Sequence, residues 1–353
     1  MLQAIRKTDD EFSVREAREI VLDLFEPNPR IYWADLLITV VIGALGLRLL
    51  RRQPLFSPLQ VLGYFVALLA FYRAGSFTHE LVHLRRGTFK WFRSAWNVLV
   101  GIPILMPSFM YSTHVAHHAR NHYGTKEDGE YLPLANGPPR NIILYMSQPL
   151  LIPICTFVRF LILAPLGWLL PGFRRLVQQR ASSLVMDPGY IRPLPSHKEL
   201  QVWRLQELSC FLLTATATSL FIGGWLEPSL AVKLYLLAVG VGVINQLRTL
   251  GAHRFEHRGE ELTFIEQLLD SVNYPEHPLL SELWGPVGLR YHALHHLFPS
   301  MPYHALGQAH RRLMAQLPED SPYRRTNSSG LWLSIGQLWR RACRNRAGSH
   351  GAG

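Results

Sequence analysis

The sequence predicts an all-α integral membrane protein: four transmembrane helices in two hairpins, with a cytoplasmic helical cap that carries clustered histidines. Three observations predict it. Of 353 residues, 48% are hydrophobic and 17% charged, and the apolar residues form long runs rather than amphipathic stripes. Four runs come close to the ~20 residues that cross a ~30 Å hydrocarbon core. Three histidine clusters lie outside those runs.

Taken in order, residues 1–30 are polar and contain no apolar stretch of the signal-peptide kind. They read as a cytoplasmic N-terminal helix: Ser13 and Glu16 have capping-box spacing, and Ala17, Ile20, Val21, Leu24 and Phe25 fall on one face. A membrane domain then covers residues 31–310, with spans at 31–50, 55–73, 207–226 and 229–250. Two further apolar stretches are ambiguous. Residues 94–112 are expected to dip in and return, and residues 142–170, interrupted by Pro149, Pro153, Arg159 and Pro165, to lie in the interface or as broken half-helices. Parity is the reason: histidine clusters that build one site must be separated by an even number of crossings. Residues 311–353 form a basic C-terminal cytoplasmic tail, whose segment 330–346 reads either as a surface amphipathic helix or as a disordered basic stretch.

Charge sets the orientation. Arg85, Arg86, Lys90, Arg93, Arg120, Lys126, Arg140, Arg174 and Arg175 accompany the histidine-bearing segments and favour the cytoplasm, against Arg48, Arg51 and Arg52 in the loop placed outside. The net charge of +11 suits a protein of an anionic inner leaflet, the plasma membrane in a bacterium, rather than one that binds nucleic acid. Cys155, Cys210 and Cys343 have no paired spacing, which argues against disulfides and thiolate metal sites.

The chemistry lies in the histidines. His-x-x-His-His occurs twice, at His114, His117 and His118 and again at His292, His295 and His296. Two chance copies among sixteen histidines have a probability on the order of 0.001. HELVH adds His79 and His83. Residues four apart share a helical face, so His79 with His83, His114 with His118 and His292 with His296 can each grip one ion. Adjacent residues lie about 100° apart, so His117 and His118 cannot easily share one, and the doubled histidines suggest two metals. His253 is a further expected ligand beyond the fourth span; His257 and His122 are weaker candidates. Read alone, HELVH also fits an intramembrane zinc protease with Glu80 as base and Asp187 as third ligand, but that leaves both His-x-x-His-His copies without a role. A protein that merely stores or carries metal is the remaining non-enzymatic alternative.

HELVH, HVAHH and HALHH, in this order and with one hairpin between the second and third, resemble the three histidine boxes of the membrane fatty acid desaturase and hydroxylase superfamily. The continuation HHLFPSMPYHAL is similar as well. The resemblance covers about residues 55–310 and implies two irons that activate O₂ as co-substrate. It implies ligand roles for His79, His83, His114, His117, His118, His292, His295 and His296, and less directly for His253. Glu80 stands where many members carry Asp and is expected to orient an imidazole as an outer acceptor. The third box begins with His292 rather than the Gln of front-end desaturases, and no HPGG motif of a fused cytochrome b5 is present. Electrons are therefore expected from a separate donor of ferredoxin or cytochrome type with its reductase. The expected activity is desaturation of a fatty acyl chain or acyl lipid. Hydroxylation or ketolation of a lipid, alkane or carotenoid is the alternative, since the ligand set does not separate them.

Overall fold

A computed structural model describes residues 13–85, 87–257 and 259–350, the last five of these by backbone only. The expected N-terminal helix falls partly outside the described residues; within them α1 is Val14–Ile20, capped by Ser13 Oγ accepting from the Glu16 amide. Asn28 and Pro29 start α2, Pro29–Arg52, and Ser57 and Pro58 start α3, Pro58–His83. In both, the cap side chain takes an amide the helix leaves unpaired and proline supplies a preset φ. There follow α4, Lys90–Trp96; α5, His114–His117; α6, Arg140–Ser147; and α7, Ile152–Leu169, with a π-turn at Arg159–Leu163. Next come α8, Pro171–Arg180; α9, His197–Ile222, begun by a Ser196–Glu199 capping box; α10, Pro228–Ala252; and α11, Phe264–Asp270. The chain closes with α12, Pro278–Trp284; α13, His292–Leu297; α14, Tyr303–Gln316; and α15, Leu331–His350.

Among the described residues five helices, α2, α3, α7, α9 and α10, are long and apolar enough to cross a membrane, where four were expected. The addition is α7, within the ambiguous 142–170 stretch. Residues 94–112 contain no helix of that length: α4 runs into a π-turn at Asn97–Gly101 and then a 3-10 turn at Ser108–Tyr111. The spans also extend past their apolar runs, because caps and not hydropathy fix helix ends. α3 continues through His79 to His83, so the first histidine cluster forms the last turns of a span.

Lipid-facing and protein-facing sides separate cleanly. Leu37, Ile38, Val41, Ile42 and Leu45 are exposed on α2, whereas Tyr32, Leu36, Gly43 and Gly46 are buried. Small residues let α2 and α3 approach closely, as expected where apolar solvent supplies no drive for association. A Cβ on Gly46 would lie 2.6 Å from the Ala67 amide nitrogen, and one on Gly63 2.6 Å from Leu49 Cβ.

Polar ties then fix the helices to the cap. Arg73 of α3 grips Asp35 of α2 at 2.9 and 2.5 Å and Glu282 of α12 at 2.7 Å. The buried Glu207 of α9 accepts from Arg159 (2.6 Å) and Trp168 (2.9 Å) of α7 and from Arg174 (2.6 Å) of α8. α15 packs Leu338 and Ala342 into a core with Tyr131, Tyr145 and Leu250, and leaves Trp332 and Trp339 exposed.

Gly46→Val should destabilise the protein by about 1–3 kcal/mol, since the contact is with backbone that cannot yield. Thermal unfolding of detergent-solubilised protein, followed by size-exclusion, checks it; an unchanged midpoint would refute the packing described.

Candidate metal centre

Nine histidines converge from four places: His79 and His83 at the end of α3, His114, His117 and His118 in and just after α5, His253 just after α10, and His292, His295 and His296 in α13. They divide into two groups. His79, His83, His114, His118 and His295 form one, and His117, His253, His292 and His296 the other; within each, the ring nitrogens offered lie within 4.8 Å of one another. In the first group, His118 Nε2 is 3.0 Å from His114 Nε2 and 3.2 Å from His295 Nε2, itself 3.2 Å from His83 Nε2. In the second, His253 Nε2 is 3.1 Å from His117 Nε2 and 2.8 Å from His292 Nε2, which is 3.1 Å from His296 Nε2.

These spacings fit metal. Ligands about 2.1 Å from one ion are about 3.0 Å apart at an octahedral right angle and about 3.4 Å apart at a tetrahedral angle. His79 is buried with neither ring nitrogen hydrogen-bonded, which is costly for a polar ring unless an ion takes the lone pair. Helix geometry produces the division, since the neighbours His117 and His118 go to different groups and so do His295 and His296. The third cluster is held by Asn273, fully buried, whose Oδ1 accepts from the Leu294 amide at 3.0 Å while its Nδ2 donates to Thr326 Oγ1 at 3.0 Å.

Behind the inward nitrogens stand acceptors for the outward ones. His114 Nδ1 is 2.8 Å from Glu130 Oε2, and His117 Nδ1 is 2.8 Å from Asp128 Oδ2. His253 Nδ1 meets the Tyr123 hydroxyl at 2.8 Å, and that hydroxyl donates its one proton to Asp270 Oδ2 at 2.7 Å. Tyr123 must then accept from His253, which places the imidazole proton on Nδ1 and leaves Nε2 as a free lone pair.

Protonation follows from burial. Desolvation, reinforced by neighbouring imidazoles, holds His114, His118, His292, His295 and His296 well below the ordinary histidine range, so they are neutral and ready to coordinate. His117 is the exception: burial lowers it, but Asp128, with Glu130 and Asp270, outweighs that and raises it. Burial pushes the Glu130 carboxyl up to about 8.

Four sequence expectations are corrected. Glu80 does not orient an imidazole; its Oε2 accepts from the Tyr32 hydroxyl at 2.6 Å and the Tyr303 amide at 3.2 Å, because it points off the helix face that carries His79 and His83. Asp187 accepts from the Gly189 amide in its own turn, at 2.7 Å, so the zinc-protease set of Glu80 and Asp187 is not assembled. His122 turns outward to Glu127 at 3.0 Å. His257 is buried but joins neither group; its backbone amide donates to the Tyr131 hydroxyl at 3.2 Å. The sequence reading did not anticipate Tyr123, Glu130 and Asp270, nor Asp128 as the partner of His117. A usable signal was present: a ligating imidazole needs an acceptor for its other N–H, and Asp128 and Glu130 follow the second cluster closely.

A cavity of about 210 Å³ reaches His253 from the side of α15, lined also by Arg254, Ser328, Ser334, Gln337 and Arg341.

A family profile described as fatty acid desaturase matches residues 56–327. The chain belongs to the fatty acid desaturase family. All nine converging histidines lie inside the matched region, whereas α1 and α15 lie outside it. The chain is 38% identical over 350 residues to a ceramide hydroxylase of Caulobacter vibrioides, with 97% of each chain covered. No solved structure matches.

Tyr123→Phe and Asp270→Asn should each lower metal affinity of the four-histidine group about 10–100-fold and spare the five-histidine group. His122→Ala should change neither. Elemental analysis after dialysis against a graded chelator reads this out; equal loss from both groups would contradict the partition.

Proposed function

We propose that this desaturase-family protein is an O₂-dependent membrane hydroxylase that acts on a ceramide-type lipid. The carrying observation is 38% identity to a ceramide hydroxylase over 97% of both chains, which favours hydroxylation over the desaturation first expected. The histidines supply what such a reaction requires, and the five-and-four division supports two irons. His79, His83, His114, His118 and His295 would hold one ion, and His117, His253, His292 and His296 the other. Bound there, the irons supply the activation of O₂ that an unactivated C–H bond demands.

The overall balance is one O₂, two electrons and two protons consumed, giving a hydroxylated lipid and water. The chain's own part is to aim and isolate. Asp128, Glu130 and the Tyr123–Asp270 pair fix the tautomers of His117, His114 and His253, and burial of the rings keeps bulk water from the reacting centre. A separate electron donor of ferredoxin or cytochrome type supplies the reducing equivalents.

We further propose that four helices cross and that the histidines face the cytoplasm. His117 and His253 are 3.1 Å apart, so the chain between them must leave and re-enter on one side. α9 and α10 form one out-and-back pair, which leaves α7 to turn back rather than cross. Support comes from α6 and the turn after it, which lie along α10, with Gln148 Oε1 accepting from Gln246 Nε2 at 3.2 Å and Leu150 O from the Tyr235 hydroxyl at 2.9 Å.

Lipid mass spectrometry of expressing cells tests the activity. A ceramide product heavier by one oxygen, labelled from ¹⁸O₂, is expected; loss of two hydrogens without oxygen would restore desaturation. Substituting Ala for any of the nine histidines should abolish the product. Single cysteines at positions 126, 180 and 260, in a background lacking Cys155, Cys210 and Cys343, should all resist an impermeant thiol reagent from outside. Labelling at 180 alone would show that α7 crosses.

A further inference from the structure

α12 carries an apolar face that nothing among the described residues covers. Leu279, Leu280 and Leu283 are 86, 64 and 49% exposed, on a two-turn helix that opens with Pro278. At about 100° per residue the three leucines fall within one arc, and Ser281 and Glu282 point away from it. Ser281 is buried, its hydroxyl donating to the His277 carbonyl at 3.0 Å. Contiguous exposed leucines of this kind mark a surface that meets something apolar.

The height of α12 along the spans identifies what it meets. Glu282 Oε1 accepts from Arg73 Nη1 at 2.7 Å, and the Trp284 carbonyl accepts from the Tyr72 hydroxyl at 2.8 Å, so α12 is pinned level with residues 72 and 73 of α3. That is the level at which α3 stops facing lipid. Leu59, Val61, Leu62 and Phe65 are exposed before it, whereas residues 76–81 beyond it are all buried. His79 and His83 lie further along the same helix, about 9 and 15 Å past Arg73. α12 therefore lies beside the span at the edge of the hydrocarbon core, on the membrane side of the histidines. Trp284 packs edge-on against Tyr274 in a cluster with Leu331, and the neighbouring Trp332 is 70% exposed. Exposed tryptophan is characteristic of the membrane–water interface.

We infer that α12 is an interfacial helix whose leucine face is set into the leaflet on the histidine side, with lipid acyl chains as its partner. Its leucines continue the lipid-facing surface of α3 at the height where that surface ends, which makes lipid, and not a second copy of the chain, the occupant. Helices of this kind lie in the plane of the interface with the apolar face about 5–10 Å into the headgroup and acyl boundary. The proposal needs α3 to span and takes nothing from the proposed reaction. Its consequence is a foothold for the third histidine cluster. α12 ends at Trp284 and α13 begins at His292, so the bilayer surface holds one end of the turn that delivers His292, His295 and His296.

The test reads depth, using the full-length protein at one chain per nanodisc in a background lacking Cys155, Cys210 and Cys343. A fluorescent dye is attached to Leu280→Cys and compared with the same dye on Phe65→Cys, in the lipid-facing part of α3, and on Lys126→Cys, in an exposed loop. Two quenchers are used: iodide in the water, and a nitroxide carried on the lipid acyl chain close to the glycerol. At position 280 nitroxide quenching should be several-fold stronger than at 126, and iodide quenching several-fold weaker, as at 65. Iodide quenching equal to that at 126 would place α12 in water and overturn the proposal. Resistance to both quenchers would show that protein covers the leucines, and would overturn it equally. Leu283→Cys provides a second reporter against local distortion by the first label; a different answer there also defeats the proposal, because both leucines belong to the one face.

Discussion

Nine imidazoles sharing one dry interior impose the constraint from which the rest follows. Protonated, they would repel one another in a medium that screens poorly; neutral, each ring carries one N–H that needs an acceptor and one lone pair that needs an acid. The fold answers with carboxylates outside the ring of histidines and nothing anionic inside it. Asp128 and Glu130 arrive on the turn that follows the second cluster, and Asp270 at the end of α11. The irregular segments around the site are thus shaped by where acceptors must stand, which explains why so much of the cap is turn rather than helix.

The membrane helices serve this arrangement as a frame. α3 carries its histidines on one face and Glu80 on another, and Glu80 binds Tyr32 of α2 and the first amide of α14. The Tyr303 hydroxyl, at the start of α14, reaches back to Asp35 at 2.8 Å, where Arg73 is also anchored. Buried polar groups of this kind add little net stability over apolar packing, yet removing one partner is severe. Their effect is to set register: α2, α3 and α14 meet in one alignment, and the first and third clusters meet with them.

What the sequence could reveal tracks the range of the physics involved. Apolar runs and spaced histidines are local signals, and they led to four of the five membrane-length helices and to the nine histidines that converge. The partition into five and four was half legible, since the helical angle between His117 and His118 separates them but does not say which distant ring joins each. Glu80 was misread because its neighbours in sequence are ligands while its neighbours in space are Tyr32 and Tyr303. Tyr123 and Asp270 are 147 residues apart, and no pattern in a single sequence joins them. α7 stayed ambiguous because hydropathy records what a helix can tolerate and not whether the chain completes a crossing.

The continuity of α3 has a consequence for how such a protein can diversify. One backbone helix of 26 residues joins the lipid slab to His79 and His83 without a flexible joint. An insertion anywhere between its glycine contacts with α2 and its last turn would rotate both histidines by about 100° and lift them by about 1.5 Å, removing two rings from one group together. Adaptation to a thicker or thinner bilayer is therefore confined to the far end, at the Ser57–Pro58 cap, where added turns leave the phase of the helix untouched. The length of the span can drift over evolutionary time, but only by growth at the end remote from the chemistry.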